Sequence, residues 1–307
     1  MSNVHFGVSL PQIKRSWDDT RTAAIEFERL GFHSVWLNDH LYGIPAPQLP
    51  IMEAWTTLAA VGAVTNRVEL GTLVSPVGFR NPALLAKIAA TLDNITAGRV
   101  IVGLGGGWFQ MEYSGYGFDF PSVKDRLEQL EEAVVLMKKM WTEPQATFQG
   151  EHFRADSVFC EPKPKRQPHP PILIGGGGEK VLLRLVAQHA DIWNNLAVNQ
   201  ADLPRKIERL HAHCAAVHRD PATLRISQQC MVVIGENETD AAQKVRKAAQ
   251  IYGGHLGPGI SGSPAQCIDK IGEFASRGCT MFVIEFFGRD TREPARLFAE
   301  NVLPAFQ

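Results

Sequence analysis

Short apolar runs alternate along this chain with amphipathic stretches, and the pair recurs at intervals of roughly thirty residues, the length of a strand–helix unit. "VHFGVSL" (4–10) reads as a strand, and Asp18 to Leu30 reads as a helix with Ala23, Phe27 and Leu30 on one face. "SVWL" (34–37) is followed by a long loop and a helix over 51–64. "RVELGTLV" (67–74) and "RVIVGLG" (99–105) flank the helical "NPALLAKIAATLDNI", and the two Arg-Val strands look like one structural word used twice. Leu127, Leu130, Val134, Met137 and Trp141 then form a helical stripe. "PPILIG" (170–175), "ADIWNN" (190–195), "LRISQQCMVVI" (224–234) and "CTMFVIEFF" (279–287) complete eight strands, and a last helix runs from Thr291 to Val302.

Eight short apolar strands, each followed by a helix, imply a parallel sheet covered on both faces. A doubly wound sheet fits that pattern less well than a closed (β/α)8 TIM barrel of α/β class, expected here as a single domain over residues 1–307. Two segments exceed the minimal barrel. Residues 145–169 read as a β-hairpin and a proline-rich connector, and 250–263 as a glycine-rich loop between helices. Its portion from Gly253 to Gly262 is expected to order over the barrel mouth when substrate binds.

Composition narrows the function classes. With 45% hydrophobic and 21% charged residues the chain has ample material for a core. A formal net charge of -1 gives no electrostatic case for nucleic acid, and no basic run suggests a membrane surface. Neither a signal-peptide pattern nor a spanning apolar stretch is visible, and the five cysteines form no C-x-x-C pair. The expectation is a cytoplasmic protein acting on a small-molecule substrate, with a homodimer left open.

In a barrel of this kind the site lies at the C-terminal ends of the strands. Gly175, Gly176, Gly177 and Gly178 follow the fifth strand and lead into a helix, so their amides converge on one point suited to a phosphate. Lys180 either adds charge there or faces solvent, and a tight turn relieving crowding is the competing reading. "GLGGGW" (103–108) supplies a second glycine cluster but lacks the third glycine and the ribose-binding acid of a Rossmann fingerprint. It gives clearance for a flat ring or allows close packing of the strand end. His40, beside Asp39 in "WLNDHL", can exchange protons near neutral pH or serve as a plain loop residue. His211, His213 and His218 read as solvated surface, and no spacing matches a metal site or a G-x-S-x-G nucleophile.

Taken together, "FGVSLPQ", "GFHSVWLNDHLYG", "RVELGTLVSPVGFRNPALLAKIAATLDNITAGR", "GLGGGWFQMEYSGYG" and "GSPAQCIDKIGEFASRGCTMFVI" resemble the bacterial luciferase-like flavin and deazaflavin oxidoreductases, which are TIM barrels. "DHLYGIPAPQ…EAWTTLAA" and "CEPKPKRQPHPPILIGGGGE" look most like the branch that uses coenzyme F420. The resemblance implies that Asp39 contacts the deazaflavin and that His40 handles the proton. It implies that Val74 bulges under the ring through a cis bond with Leu73, and that Ser75, Gly106 and Gly107 make further cofactor contacts. Gly177 and Gly178 match the phosphate turn. Trp108 stands where the sugar-phosphate dehydrogenases of this family carry a carboxylate, and Ile44 where they carry a tryptophan, which argues against carrying over their mechanism. Glu112 reads as structural or lid-related. The function so implied is hydride transfer between F420 and a small organic substrate. The alternatives are an FMN-dependent monooxygenase and a non-catalytic flavin-binding protein.

Overall fold

The computed structural model describes residues 4–253 and 259–307. Eight parallel strands close into a barrel: β1 (His5–Ser9), β2 (Ser34–Leu37), β3 (Glu69–Thr72), β5 (Val100–Gly105), β8 (Ile172–Gly175), β9 (Ile192–Asn195), β10 (Arg225–Ile234) and β12 (Met281–Phe286). Each pairs with the next in that order, and β12 returns to β1. The short β4 (Ser75–Pro76) continues the third strand after a break at Leu73–Val74, where the peptide bond is cis. Helices α1 (Trp17–Arg29), α2 (Ala54–Val64), α3 (Pro82–Ile95), α5 (Val123–Thr142), α6 (Leu182–His189), α7 (Leu203–Ala216), α9 (Pro264–Ser276) and α10 (Arg292–Asn301) surround the barrel. The fold is the expected (β/α)8 TIM barrel.

Two separate cores account for this arrangement. Outward strand residues and inward helix residues merge into one large apolar layer, while Trp36, Leu73, Ile101, Leu173, Ile192, Met281 and Val283 fill the barrel interior. Trp36 is accommodated because Gly7 and Gly71 on its neighbouring strands leave the space a Cβ would take.

The repeated Arg-Val word has a physical meaning. Arg67 donates to the carbonyls of Glu28 and Phe32 at the end of α1, and Arg99 donates to those of Gly62 and Thr65 at the end of α2. Each guanidinium thus donates to carbonyls at or just beyond a helix C-terminus, and places positive charge at the negative end of the dipole. Arg219 does the same for α6 through Ala187 and Ala190.

The insertions differ from expectation in one place. Residues 145–169 contain the hairpin, β6 (Ala146–Gln149) with β7 (Arg154–Val158), anchored where Glu132 accepts from the amides of Glu151, His152 and Phe153. The glycine-rich segment is not all loop. Helix α8 (Glu238–Tyr252) runs into it, and β11 (Ile260–Gly262) pairs with Val232–Ile234. Strand β10 outruns the barrel rim, and its open edge takes up β11, burying Ile260. The expected lid falls partly on residues 254–258, outside the described residues.

At the barrel floor His5 and His33 lie with ring centroids 4.6 Å apart. Burial, the nearby Arg225 and His33 bring the His5 imidazole down to about 4, and burial and Arg67 lower His33 as well. Both are neutral in the native protein at pH 7, whereas an unfolded histidine titrates near ~6.5. The unfolded chain therefore binds more protons between about pH 6.5 and 4, and stability falls as pH falls through that window. Denaturant midpoints at pH 7 and pH 5 should show a larger loss for the wild type than for His5→Gln. Equal losses would remove this pair from the acid sensitivity of the fold.

Candidate active site

Strand β2 ends at Leu37, and the chain leaves the barrel wall as Asn38-Asp39-His40. His40 Nδ1 lies 3.0 Å from both carboxylate oxygens of Glu112, which is buried in the short helix α4 (Gln110–Tyr116). The same carboxylate accepts from the amides of Leu41 (3.1 Å) and Tyr42 (2.9 Å). A carboxylate that takes two backbone hydrogens is an acceptor toward the imidazole too, so Nδ1 carries a proton and, in the neutral ring, Nε2 is the nitrogen with the lone pair. Trp108 and Phe109 stand beside the ring, at 5.8 and 6.4 Å between centroids, and Trp108 is 66% exposed. Glu112 is therefore the group that fixes the histidine tautomer. Sequence reasoning missed this because the pair is 72 residues apart.

Asp39 points the other way, into the wall. Its carboxylate receives Arg80 through two bonds, 2.7 and 3.1 Å, and the Ser75 hydroxyl at 2.6 Å. Trp55 donates to Ser75 (2.9 Å), and Arg80 also reaches Glu53 at 2.5 Å, the N-cap of α2. Burial pushes the Asp39 carboxyl above the usual aspartate value, while Arg80 and Ser75 pull against it. Both Asp39 and Ser75 are closed to solvent. Their side chains brace the site from beneath and do not line it.

One glycine from each cluster makes room for Val74. A Cβ at Gly105 would stand 2.7 Å, and one at Gly175 2.9 Å, from the Val74 methyls. Gly175 is thus a buried residue of β8 that allows close packing, and the expected cradle narrows to Gly176–Gly178. Gly106 and Gly107 line the rim, Gly107 with φ of 75°. The amide of Gly176 donates to Asn194 and its carbonyl accepts from the Trp193 indole. The amides of Gly177, Gly178 and Glu179 have no acceptor among the described residues.

The helix does not open directly from these glycines, since a turn over Glu179–Val181 precedes α6. What holds the cradle comes from α7. The buried Lys206 ammonium donates to the Gly177 carbonyl at 2.5 Å, His213 Nε2 meets the Glu179 carbonyl at 2.8 Å, and Arg205 pairs with Glu179. Burial holds Lys206 below the usual lysine range. Lys180, the cation suggested by sequence, is exposed, and His213 is part of this buttress rather than solvated surface. Helical spacing alone marks Lys206 and His213 as two positions on one side of α7, the only signal the sequence offered. Between cradle and barrel interior stands Asn194, fully buried, with Oδ1 taken by Ser227 and Nδ2 without an acceptor among the described residues. No cluster able to hold a metal occurs among the described residues.

The ion pair beneath the site makes a direct prediction. Arg80→Met leaves the Asp39 carboxylate buried without its partner and should destabilise the protein by about 3–5 kcal/mol in denaturant unfolding. A loss below ~1 kcal/mol would show that the pair is dispensable to the wall.

The Luciferase-like monooxygenase sequence profile matches residues 2–256. The chain is 31% identical over 217 residues to the F420-dependent hydroxymycolic acid dehydrogenase of Mycobacterium tuberculosis, covering 70% of this chain and 58% of that protein. It is 37% identical over 158 residues to the F420-dependent glucose-6-phosphate dehydrogenase of Intrasporangium calvum, covering 50% of this chain and 46% of the relative. The chain thus spans about half the length of the curated relatives it matches. Among solved structures, an F420-dependent secondary alcohol dehydrogenase in complex with an F420-acetone adduct superposes with a TM-score of 0.86 at 24% identity, covering 99% of each chain. A type II Baeyer-Villiger monooxygenase from Pseudomonas putida in complex with FMN reaches 0.81 at 16% identity, again covering 99% of each. Both show a shared fold, which by itself does not choose between the cofactors. With the profile spanning most of its length, the chain belongs to the luciferase-like monooxygenase family.

Proposed function

We propose that this protein is an F420-dependent oxidoreductase that moves a hydride between F420 and an unidentified small organic substrate, with residues 1–307 working as one domain. The observation that carries the reading is His40, whose Nδ1 is committed to Glu112 while Nε2 remains for a reacting group. F420 is preferred to FMN because relatives at 31% and 37% identity are named for it.

The residues present fit such a cofactor. Gly176–Gly178 form a cradle in which the amides of Gly177 and Gly178 are unused among the described residues, Lys206 holds it, and Val74 with Gly106 and Gly107 offers an apolar rim for a flat ring. Asn194 keeps an unused donor between them. A side chain at Gly177 would run into Asn199 and the Lys206 ammonium. Bound F420 supplies the carbon that gives or takes the hydride. The protein's own part is positioning and proton handling. His40 Nε2 accepts or returns the proton of the substrate group being oxidised or reduced, and Glu112 stabilises the imidazolium that forms. The FMN alternative shares the phosphate cradle and differs at the ring, so binding is the deciding measurement.

Fluorescence titration of cofactor-free protein with F420 and with FMN should show tighter binding of F420; tighter FMN binding would move the assignment to the monooxygenase reading. Gly177→Val and Lys206→Met should each weaken F420 binding by more than about tenfold, or ~1.4 kcal/mol. An unchanged dissociation constant in both would return the glycines to a packing role.

For His40→Asn, kcat with an active substrate should drop by about 100- to 10,000-fold while F420 affinity stays near the wild-type value. Near-normal turnover in a folded variant would take His40 out of the mechanism. Absence of turnover in the wild type with every donor tried would favour the carrier reading.

A further inference from the structure

One carboxyl at the barrel mouth has no assigned part. Glu285 lies on β12 two residues after Val283, a member of the interior cluster, so strand alternation sends its side chain to the same side. It is the one exposed residue of that strand. Its register partner is Met231 of β10, and continuing the ladder from Val8–Ile284 brings Ser9 of β1 to its other side. Strand β12 faces β5 and its glycines across the barrel, and lies two strands from β2 and His40. The proposed cofactor rim and phosphate cradle occupy β3, β5 and β8, which leaves the wall of β12, β1 and β10 to the substrate.

The described residues around Glu285 are apolar and include no counter-ion. Met231, Val233 and Phe287 cluster with Val245 and Ala248 of α8, and Tyr252 at the end of α8 lies near enough to feel the carboxylate charge. No hydrogen bond or ion pair reaches the carboxyl among the described residues, and desolvation by the enclosing protein pushes it above the usual glutamate value. The group is thus open to solvent at the strand end, on the side of the strand that faces the barrel interior. Two other carboxylates near the strand ends are satisfied: Asp39 holds Arg80 and Ser75, and Glu112 holds His40 and two amides. Glu285 has no such partner among the described residues and is free there to accept a hydrogen bond.

We infer that Glu285 determines substrate class: it accepts a hydrogen bond from an amino or hydroxyl group of the substrate and turns away phosphate- and carboxylate-bearing molecules. This rests on the hydride-transfer reading for where the substrate sits. An anion beside a carboxylate meets like charge, while a hydrogen-bond donor there gains a charge-assisted bond. The protein would accordingly differ in substrate from its relative named for glucose 6-phosphate.

The test uses two compact probes, the Tris cation, which carries amino and hydroxyl donors, and inorganic phosphate. Each is titrated calorimetrically into F420-loaded and cofactor-free protein. Wild type should bind Tris at least about tenfold more tightly than phosphate, Glu285→Gln should lose about tenfold for Tris, and Glu285→Lys should reverse the preference. F420 affinity should be unchanged in Glu285→Gln, because the cradle is on other strands. Probe affinities that stay within about threefold of wild type in both variants, an absence of Tris binding to wild type, or equal binding of the two probes would overturn the inference. If F420 fails to bind the wild type, the cofactor reading falls, and the titrations on cofactor-free protein still decide the role of Glu285.

Discussion

The inside of an eight-stranded barrel must be filled, and here two side chains do much of it at the expense of their neighbours. Trp36 occupies space that Gly7 and Gly71 surrender, and Val74 occupies space surrendered by Gly105 and Gly175. Close packing tolerates no void of that size, so the glycines and the large residues form one decision. The consequence reaches the mouth. Val74 is seated against Gly105 of β5 and Gly175 of β8, so an apolar side chain stands at the strand ends on that side of the barrel.

The polar groups themselves fall into two layers. Asp39, Ser75, Trp55, Arg80 and Glu53 form a saturated network beneath the surface, which ties the loop after β2 to α2 and to the break after β3. Above it, His40 and the cradle amides keep unused capacity. A saturated layer gives rigidity and an unsaturated one gives chemistry, and adjacent residues in the sequence, Asp39 and His40, belong to different layers.

That division explains how far the sequence could be read. The strands were legible because alternation and length are local properties, and the glycine turn because four glycines in succession have few uses. The role of the Arg-Val repeat was visible as a pattern but not as a cause, since the carbonyls that Arg67 and Arg99 cap lie in helices tens of residues earlier. Lys206 resembled any lysine of an amphipathic helix until α7 was placed against the turn. Asp39 and Ser75 read as cofactor contacts because the resemblance assigns positions, whereas burial and saturation depend on what Arg80 and Trp55 do with them. The strand β11 escaped notice because its pairing edge exists only once β10 overshoots the rim.

Glu112 accepts hydrogens from three consecutive residues, His40, Leu41 and Tyr42. A loop that would otherwise wander is thereby pinned at one point to a seven-residue helix, α4, whose N-terminal side carries the exposed Trp108 and the half-buried Phe109. Mechanically the helix and the loop form a single lever. The Trp108–Phe109 ledge and the carboxylate that meets His40 Nδ1 therefore sit on one short stretch of chain, so whatever rests on the ledge lies beside the group that orients the imidazole.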